Sequence, residues 1–256
     1  MDLLRCYEEA SMLLATGAEP FSVVECVERH RLYWRPQRIN TLLLAESHVY
    51  THGHECIDMQ GTDTFGLSDL TRQFVRLVYC LGYGESDFVG QTLANNSGTP
   101  QYWKLFSSCV LPPSADTFAL ILKSHSRSFR GRLQAKIDLL NRLRKLGVWL
   151  LDASILALYQ PGGGRLHVQR YNALLRCCWE NYIGPVIQDA APHSLVVIGK
   201  GVRAALQQEL KQLTRIRIET IPQPQARLPS LEIAANYNLL HRVCQNAASA
   251  RERGDA

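Results

Sequence analysis

Three short apolar runs dominate the chain: "TLLLA" at Thr41–Ala45, "VWLL" at Val148–Leu151 and "SLVVI" at Ser194–Ile198. They stop abruptly at "ESH", "DAS" and "GKG". Each run is too short for a typical helix and too uniformly apolar for a strand with one wet face, so each reads as a strand buried on both sides. A fourth run, Arg215–Thr220, alternates Ile216 and Ile218 with polar residues and continues into "IPQPQARLPS". Segments of helical length separate the runs. Strands that alternate with helices and lack a polar face require a parallel sheet covered on both sides. The expected fold is a three-layer α/β/α sandwich around a central four-stranded, mostly parallel sheet.

Apolar spacing predicts helices over 3–15, over Asp69–Leu81 (through Leu70, Phe74, Leu77 and Val78), over Leu133–Leu146 with Gly147 as its stop, over Val202–Leu213 and over about Leu231–Ala247. Val168 to about Asp189 reads as largely helical, with a kink or break at Gly184–Pro185. Trp103–Val110 carries no decisive pattern, and residues 117–122 fit a strand or a helical turn. "GYGESDFVG", "NNSGTP" and "QPGGGR" read as loops. The length of 256 residues suits a single domain over 1–256 with an N-terminal helical extension at about 1–35.

Apolar residues make up 46% of the chain and charged residues 20%, enough for a sizeable core. The N-terminus mixes charges into its apolar run, unlike a secretory signal, and no apolar stretch has the length of a membrane span. Eight scattered cysteines without a C-x-x-C spacing argue against a disulfide framework or a zinc ribbon, which leaves reduced thiols in a cytoplasmic protein. The formal net charge is +5, with 22 Arg against 6 Lys, a bias that suits planar contacts with phosphate or carboxylate. Between Lys123 and Lys145, eight Lys or Arg face one acidic residue, Asp138. That run is either a solvated helix face or a phosphate-tracking surface.

In open parallel sheets ligands bind beyond the carboxyl ends of the strands, which here are Glu46–Ser47, Asp152, "GKG" and "PQPQ". The content of these ends resembles the uracil-DNA glycosylase superfamily. "GVWLLDASILALY" is similar to the family's strand that ends in a base-reading Asn, and "WENYIGPVIQDAAPHSLVVIGKGVRAAL" to its following helix, third strand and small-residue turn. "TIPQPQARLPS" stands in the place of the His-Pro-Ser segment, and "LLLAESHVY" resembles the first motif. The resemblance implies an enzyme without a cofactor or metal that acts on single- or double-stranded DNA. It hydrolyses the bond between a damaged or deaminated base and its deoxyribose after the base has left the stack. It implies no membrane and no obligate protein partner. The alternative is a module of the same fold that binds nucleic acid or a base without cleaving.

Carried over residue by residue, the resemblance implies that Glu46 orients water or stabilises a cationic sugar. Ser47 stands where Asp or Ala is found, so one branch's water-activating Asp is missing, and His48 replaces a Pro. Asp152 replaces the Asn: an ionised carboxylate only accepts, so it suits a base edge with two neighbouring donors, as guanine-like edges have, unless it is protonated. Gln223 replaces the His that donates to the base oxygen. Tyr50 or Phe65 is the candidate stacker. Arg127, Arg130, Arg132 and Lys200 would hold phosphates, and Arg227, with Leu228, would fill the gap left by the flipped base. Each has a plainer reading as well: a helix cap for Glu46 or Asp152, a polar turn for Gln223, surface or core for the rest.

Two other patterns compete. His48, His52 and His54 with Glu55 have metal-ligand chemistry, but Gly53 and Thr51 argue against the helix that would bring them to one face. "GKGVRAAL" lacks the glycine spacing and the Ser or Thr after Lys of a triphosphate loop, and no G-x-S-x-G elbow occurs.

Overall fold

The structure is a computed structural model that describes residues 2–14, 17–90, 93–94, 96–113, 118–159, 164 and 166–254. The "QPGGGR" loop, apart from Gly164, and the first residue of the 117–122 segment lie outside the described residues. The chain folds as α1 (Leu3–Leu14), α2 (Phe21–Tyr33), β1 (Thr41–Ala45), α3 (Ser86–Val89), α4 (Pro100–Val110), α5 (Phe129–Leu146), β2 (Val148–Asp152), α6 (Val168–Cys178), α7 (Gly184–Ala190), β3 (Ser194–Ile198), α8 (Lys200–Ala205), α9 (Gln207–Lys211), β4 (Arg217–Ile221) and α10 (Ser230–Gly254).

All four strands are parallel, in the order β2-β1-β3-β4. The first three are buried at every position, as their unbroken apolar runs require, while the edge strand β4 is buried only at Ile221. Helices α5 and α10 pack on one face, with α4 against both, and α8 packs on the other face with α6 and α1 beyond it, giving the three-layer α/β/α sandwich. Between β1 and β3 the chain leaves in opposite directions, to β2 on one side and to β4 on the other. That reversal opens a crevice at the carboxyl rim. Among the described residues no helix is long and apolar enough to cross a membrane.

Gly147 ends α5 with φ +76°; a Cβ there would lie 2.6 Å from Asn40 Nδ2, so the turn into β2 accepts only glycine. The helical stretch from Val168 to Ala190 is interrupted by a wider, π-type turn over Trp179–Ile183, immediately before the expected break at Gly184–Pro185. The predicted helix at 202–213 begins earlier, at Lys200, and is divided at Leu206.

The predicted helix over Asp69–Leu81 does not form. Leu70, Phe74, Leu77 and Val78 are buried as their spacing suggested, but the segment runs irregularly beside residues 49–59. Its buried backbone is satisfied by that neighbour: Phe74 N donates to Ile57 O at 2.8 Å, Met59 N to Arg72 O at 2.7 Å and Arg76 N to Thr51 Oγ1 at 2.9 Å. The Tyr79 hydroxyl accepts from Leu150 N at 2.8 Å, so this segment seals the open edge of β2. Trp103–Val110, unassigned from sequence, lies within α4.

Candidate active site

A cavity of about 560 Å³ opens at the carboxyl rim of the sheet. Glu46, Ser47 and His48 reach it from the end of β1, Asp152 from the end of β2, and Gln223 from the loop after β4. Register explains the first two contributions: β1 and β2 pair with Ala45 opposite Asp152, so both strands end at one level. Gln223 is held by a glycine. Gly199, with φ +111°, ends β3, and a Cβ there would stand 2.8 Å from the Gln223 amide nitrogen, so the bare backbone makes room for this side chain.

Glu46 is oriented by two phenols: Tyr171 donates to Oε1 at 2.7 Å and Tyr159 to Oε2 at 3.2 Å. Burial and the neighbouring Glu46 push the Tyr171 hydroxyl well above its ordinary pKa, so it stays a donor. Asp152 is 3% exposed and ion-paired through Oδ2 with Arg31 Nη2 at 2.8 Å. Arg31 in turn pairs with Glu28, which accepts from Tyr182 at 2.8 Å. His48 Nε2 lies 2.7 Å from Glu19 Oε2, and Nδ1 lies 3.8 Å from Asp152 Oδ2 without a hydrogen bond. Burial opposes the charge of His48, but Glu19 and Asp152 outweigh it and raise the imidazole pKa. Glu19 is fixed further by the backbone N–H groups of Thr51 at 2.7 Å and Ala157 at 3.1 Å. The wall behind the cavity is thus a buried ionic chain, Glu19–His48–Asp152–Arg31–Glu28. Within it Asp152 accepts from Arg31 through Oδ2.

Sequence reasoning missed several members of the wall. Arg31 and Glu28 come from α2, inside the segment read as an extension, where a Glu–Arg pair three residues apart, following buried Val24 and Val27 on the helix, was the available signal. Arg76, Thr99 and Tyr102 come from the region between Asp69 and Val110, in which no site residue was expected. The expected stackers do not line the cavity: Tyr50 packs edge-on to His52, and Phe65 lies against Phe88 and beneath Arg130. Tyr102 and Tyr159 are the aromatic rings that do. Ser47 lines the cavity, its Oγ accepting from Leu158 N at 3.4 Å. Val49, another lining residue, is exposed.

The cations divide. Arg127, Arg130, Lys200 and Arg227 are exposed. Arg132 is not available to DNA: it is 6% exposed and grips Glu85 through Nε at 3.1 Å and Nη2 at 2.7 Å. In the histidine loop the side chains turn to separate partners. His48 is spent on Glu19, His52 and His54 stack on each other at 5.2 Å, and Glu55 holds Arg76. Among the described residues no group of three or more His, Cys, Asp or Glu is placed to hold a metal ion.

Comparison of the chain with protein-family models, curated proteins and solved structures finds no match.

Proposed function

We propose that this protein is a DNA glycosylase-like hydrolase, working on DNA in the cytoplasm and related to the uracil-DNA glycosylase superfamily that its strand ends resemble. The observation that carries the reading is convergence: Glu46, Asp152 and Gln223, far apart in sequence, line one cavity at the carboxyl rim. A base turned out of the stack enters between Tyr102 and Tyr159. The C1′–N bond breaks, the electron pair leaves with the base, and the sugar becomes cationic. Glu46, fixed by Tyr159 and Tyr171, faces that cation and takes a proton from the water whose oxygen bonds to C1′; the departing base acquires a proton at the nitrogen it keeps. The Gln223 amide donates to a base oxygen as negative charge develops there. Asp152, held as an acceptor by Arg31, receives N–H groups of the base edge. Guanine-type edges fit it, and the carbonyls beside the uracil N–H meet a carboxylate.

The competing reading, a base-binding module that does not cleave, draws on one observation: both oxygens of Glu46 already accept from tyrosines. One assay separates the two. Oligonucleotides carrying uracil, hypoxanthine or xanthine are incubated with wild type and with Glu46→Gln. The hydrolase reading expects base release that falls roughly a hundredfold in the variant, with DNA affinity retained. Binding without release by wild type assigns the module instead.

A further inference from the structure

A second, smaller cleft of about 210 Å³ adjoins the first, and Thr99 lines both. Its walls include Gly84, Glu85, Gly98, Trp103, Lys123 and Lys136, so the carboxylate that the cations share is itself on the wall. We propose that this cleft is an oxyanion subsite that takes a phosphate group.

Among the described residues Glu85, 1% exposed, is the single carboxylate paired with two buried cations: Arg132 holds both of its oxygens, and Lys136 Nζ, on a residue 4% exposed, donates to Oε1 at 2.7 Å. Asp87, near Arg132, is exposed to solvent. A buried cation in excess of its partners is costly, because the interior does not replace the water it has lost. Burial lowers the pKa of Lys136 even with Glu85 beside it, and Arg132 and Lys123 press in the same direction.

The donors follow. Lys136 spends one N–H on Glu85 and sits 5.2 Å from the Trp103 ring, which leaves donor capacity toward the cleft it lines. Thr99 Oγ1 is buried without a hydrogen-bond partner. Lys123 stands exposed at the mouth. The floor is rigid: Gly84 and Gly98, both with positive φ, approach so closely that a Cβ on either would lie 3.0 Å from the other's Cα, and Gly84 N is tied to Asn96 Oδ1 at 2.7 Å. Asp152 thus asks for hydrogen-bond donors while the cleft sharing its Thr99 wall asks for an oxyanion. A nucleotide carries both, and only that identification of the carrier rests on the reading above; the oxyanion chemistry stands without it.

The test is calorimetric titration with inorganic phosphate at constant ionic strength. Wild type is expected to bind saturably, Lys136→Met to weaken binding roughly tenfold or abolish it, and Thr99→Val and Lys123→Ala to weaken it by about threefold each. If Lys136→Met fails to fold, the other two variants decide, since Lys123 is exposed and Thr→Val keeps the shape. Absence of saturable binding by wild type, or wild-type affinity in both Thr99→Val and Lys123→Ala, overturns the proposal. A second arm compares deoxyguanosine 5′-monophosphate with inorganic phosphate. Tighter binding of the nucleotide, lost in Lys136→Met, identifies a nucleotide phosphate as the occupant; equal affinity identifies free phosphate. Phosphate binding by a protein that releases no base leaves the subsite standing and removes the hydrolase reading.

Discussion

Two buried ionic clusters stand side by side in this molecule with opposite surpluses. Behind the large cavity three carboxylates, Glu19, Asp152 and Glu28, meet two cations, Arg31 and the raised-pKa His48. Beside the small cleft two cations, Arg132 and Lys136, meet the single Glu85. Both clusters link segments distant in sequence, and both are almost wholly out of water. If either served packing alone, hydrocarbon of the same volume would hold the fold at least as well. The large cavity is lined by Glu46 and Asp152 together with His48 and Arg76, and the small cleft by Glu85 together with Lys123 and Lys136. The difference is one of balance: carboxylates outnumber cations behind the large cavity, and cations outnumber the carboxylate beside the small cleft.

The sharpest way to break this comparison is to remove the minority charge from each side. Arg31→Met strands Asp152 and Glu28, and Glu85→Gln strands Arg132 and Lys136, so each is expected to cost about 3–5 kcal/mol. Arg132→Met, which keeps the Lys136–Glu85 pair, should cost only about 1–3 kcal/mol. Urea denaturation of the three variants reads the order. Equal losses for Glu85→Gln and Arg132→Met would mean that the second cluster carries no cationic surplus. Phosphate should recover part of the Glu85→Gln deficit through mass action, and none of the Arg31→Met deficit.

Titration sharpens the contrast through two buried histidines. His30 Nε2 meets Gln73 O at 2.8 Å and has no carboxylate; burial lowers its pKa to about 4. The unfolded chain therefore takes up a proton near pH 6.5 that the folded chain refuses, and stability falls as pH drops from about 6.5 toward 4, by on the order of 3 kcal/mol. His48 runs the other way. Its folded pKa lies above the unfolded one, so its contribution is complete below about pH 6.5 and fades as pH rises through the folded value. Denaturation midpoints measured across pH should lose the acid-side decline in His30→Gln and the alkaline decline in His48→Gln. A decline that survives its own substitution would remove that histidine from the account.

What was legible in the chain follows the same division between local and distant causes. The first three strands could be read because each is a short, nearly unbroken apolar run whose composition demands burial on both faces, and the edge strand β4 because its isoleucines alternate with polar residues. Glu46, Asp152 and Gln223 could be placed at one cavity because parallel strands bring their carboxyl ends to one rim. The 69–81 segment misled because helical spacing of Leu70, Phe74, Leu77 and Val78 reports burial, and an irregular chain with outside hydrogen-bond partners buries the same positions. Arg31 behind Asp152 was not legible: it pairs across 121 positions, and no local pattern encodes a partner at that distance. Arg132 was misassigned for a different reason. It lies four residues before Lys136, which in turn lies four before Leu140, so helical periodicity puts both cations on the buried face of α5; the length of the basic run concealed that period.

The smallest expected effect concerns the part of the basic run that remains outside. Arg127 and Arg130 are exposed, with the Arg130 guanidinium 5.6 Å from the Phe65 ring centroid. If they track phosphates, the double substitution Arg127→Ala, Arg130→Ala should reduce the slope of log affinity against log salt for duplex DNA by about 2, with little change in stability. Arg132→Met should do the reverse, leaving the slope in place while lowering the denaturation midpoint. An unchanged slope in the double variant would make the outer face of α5 an ordinary solvated surface. Of this run, Arg142, Arg144 and Lys145 would then remain, exposed toward the far end of α5, together with Lys123 and Lys136 at the cleft, and the same salt slope measured on substitutions at each end would divide them.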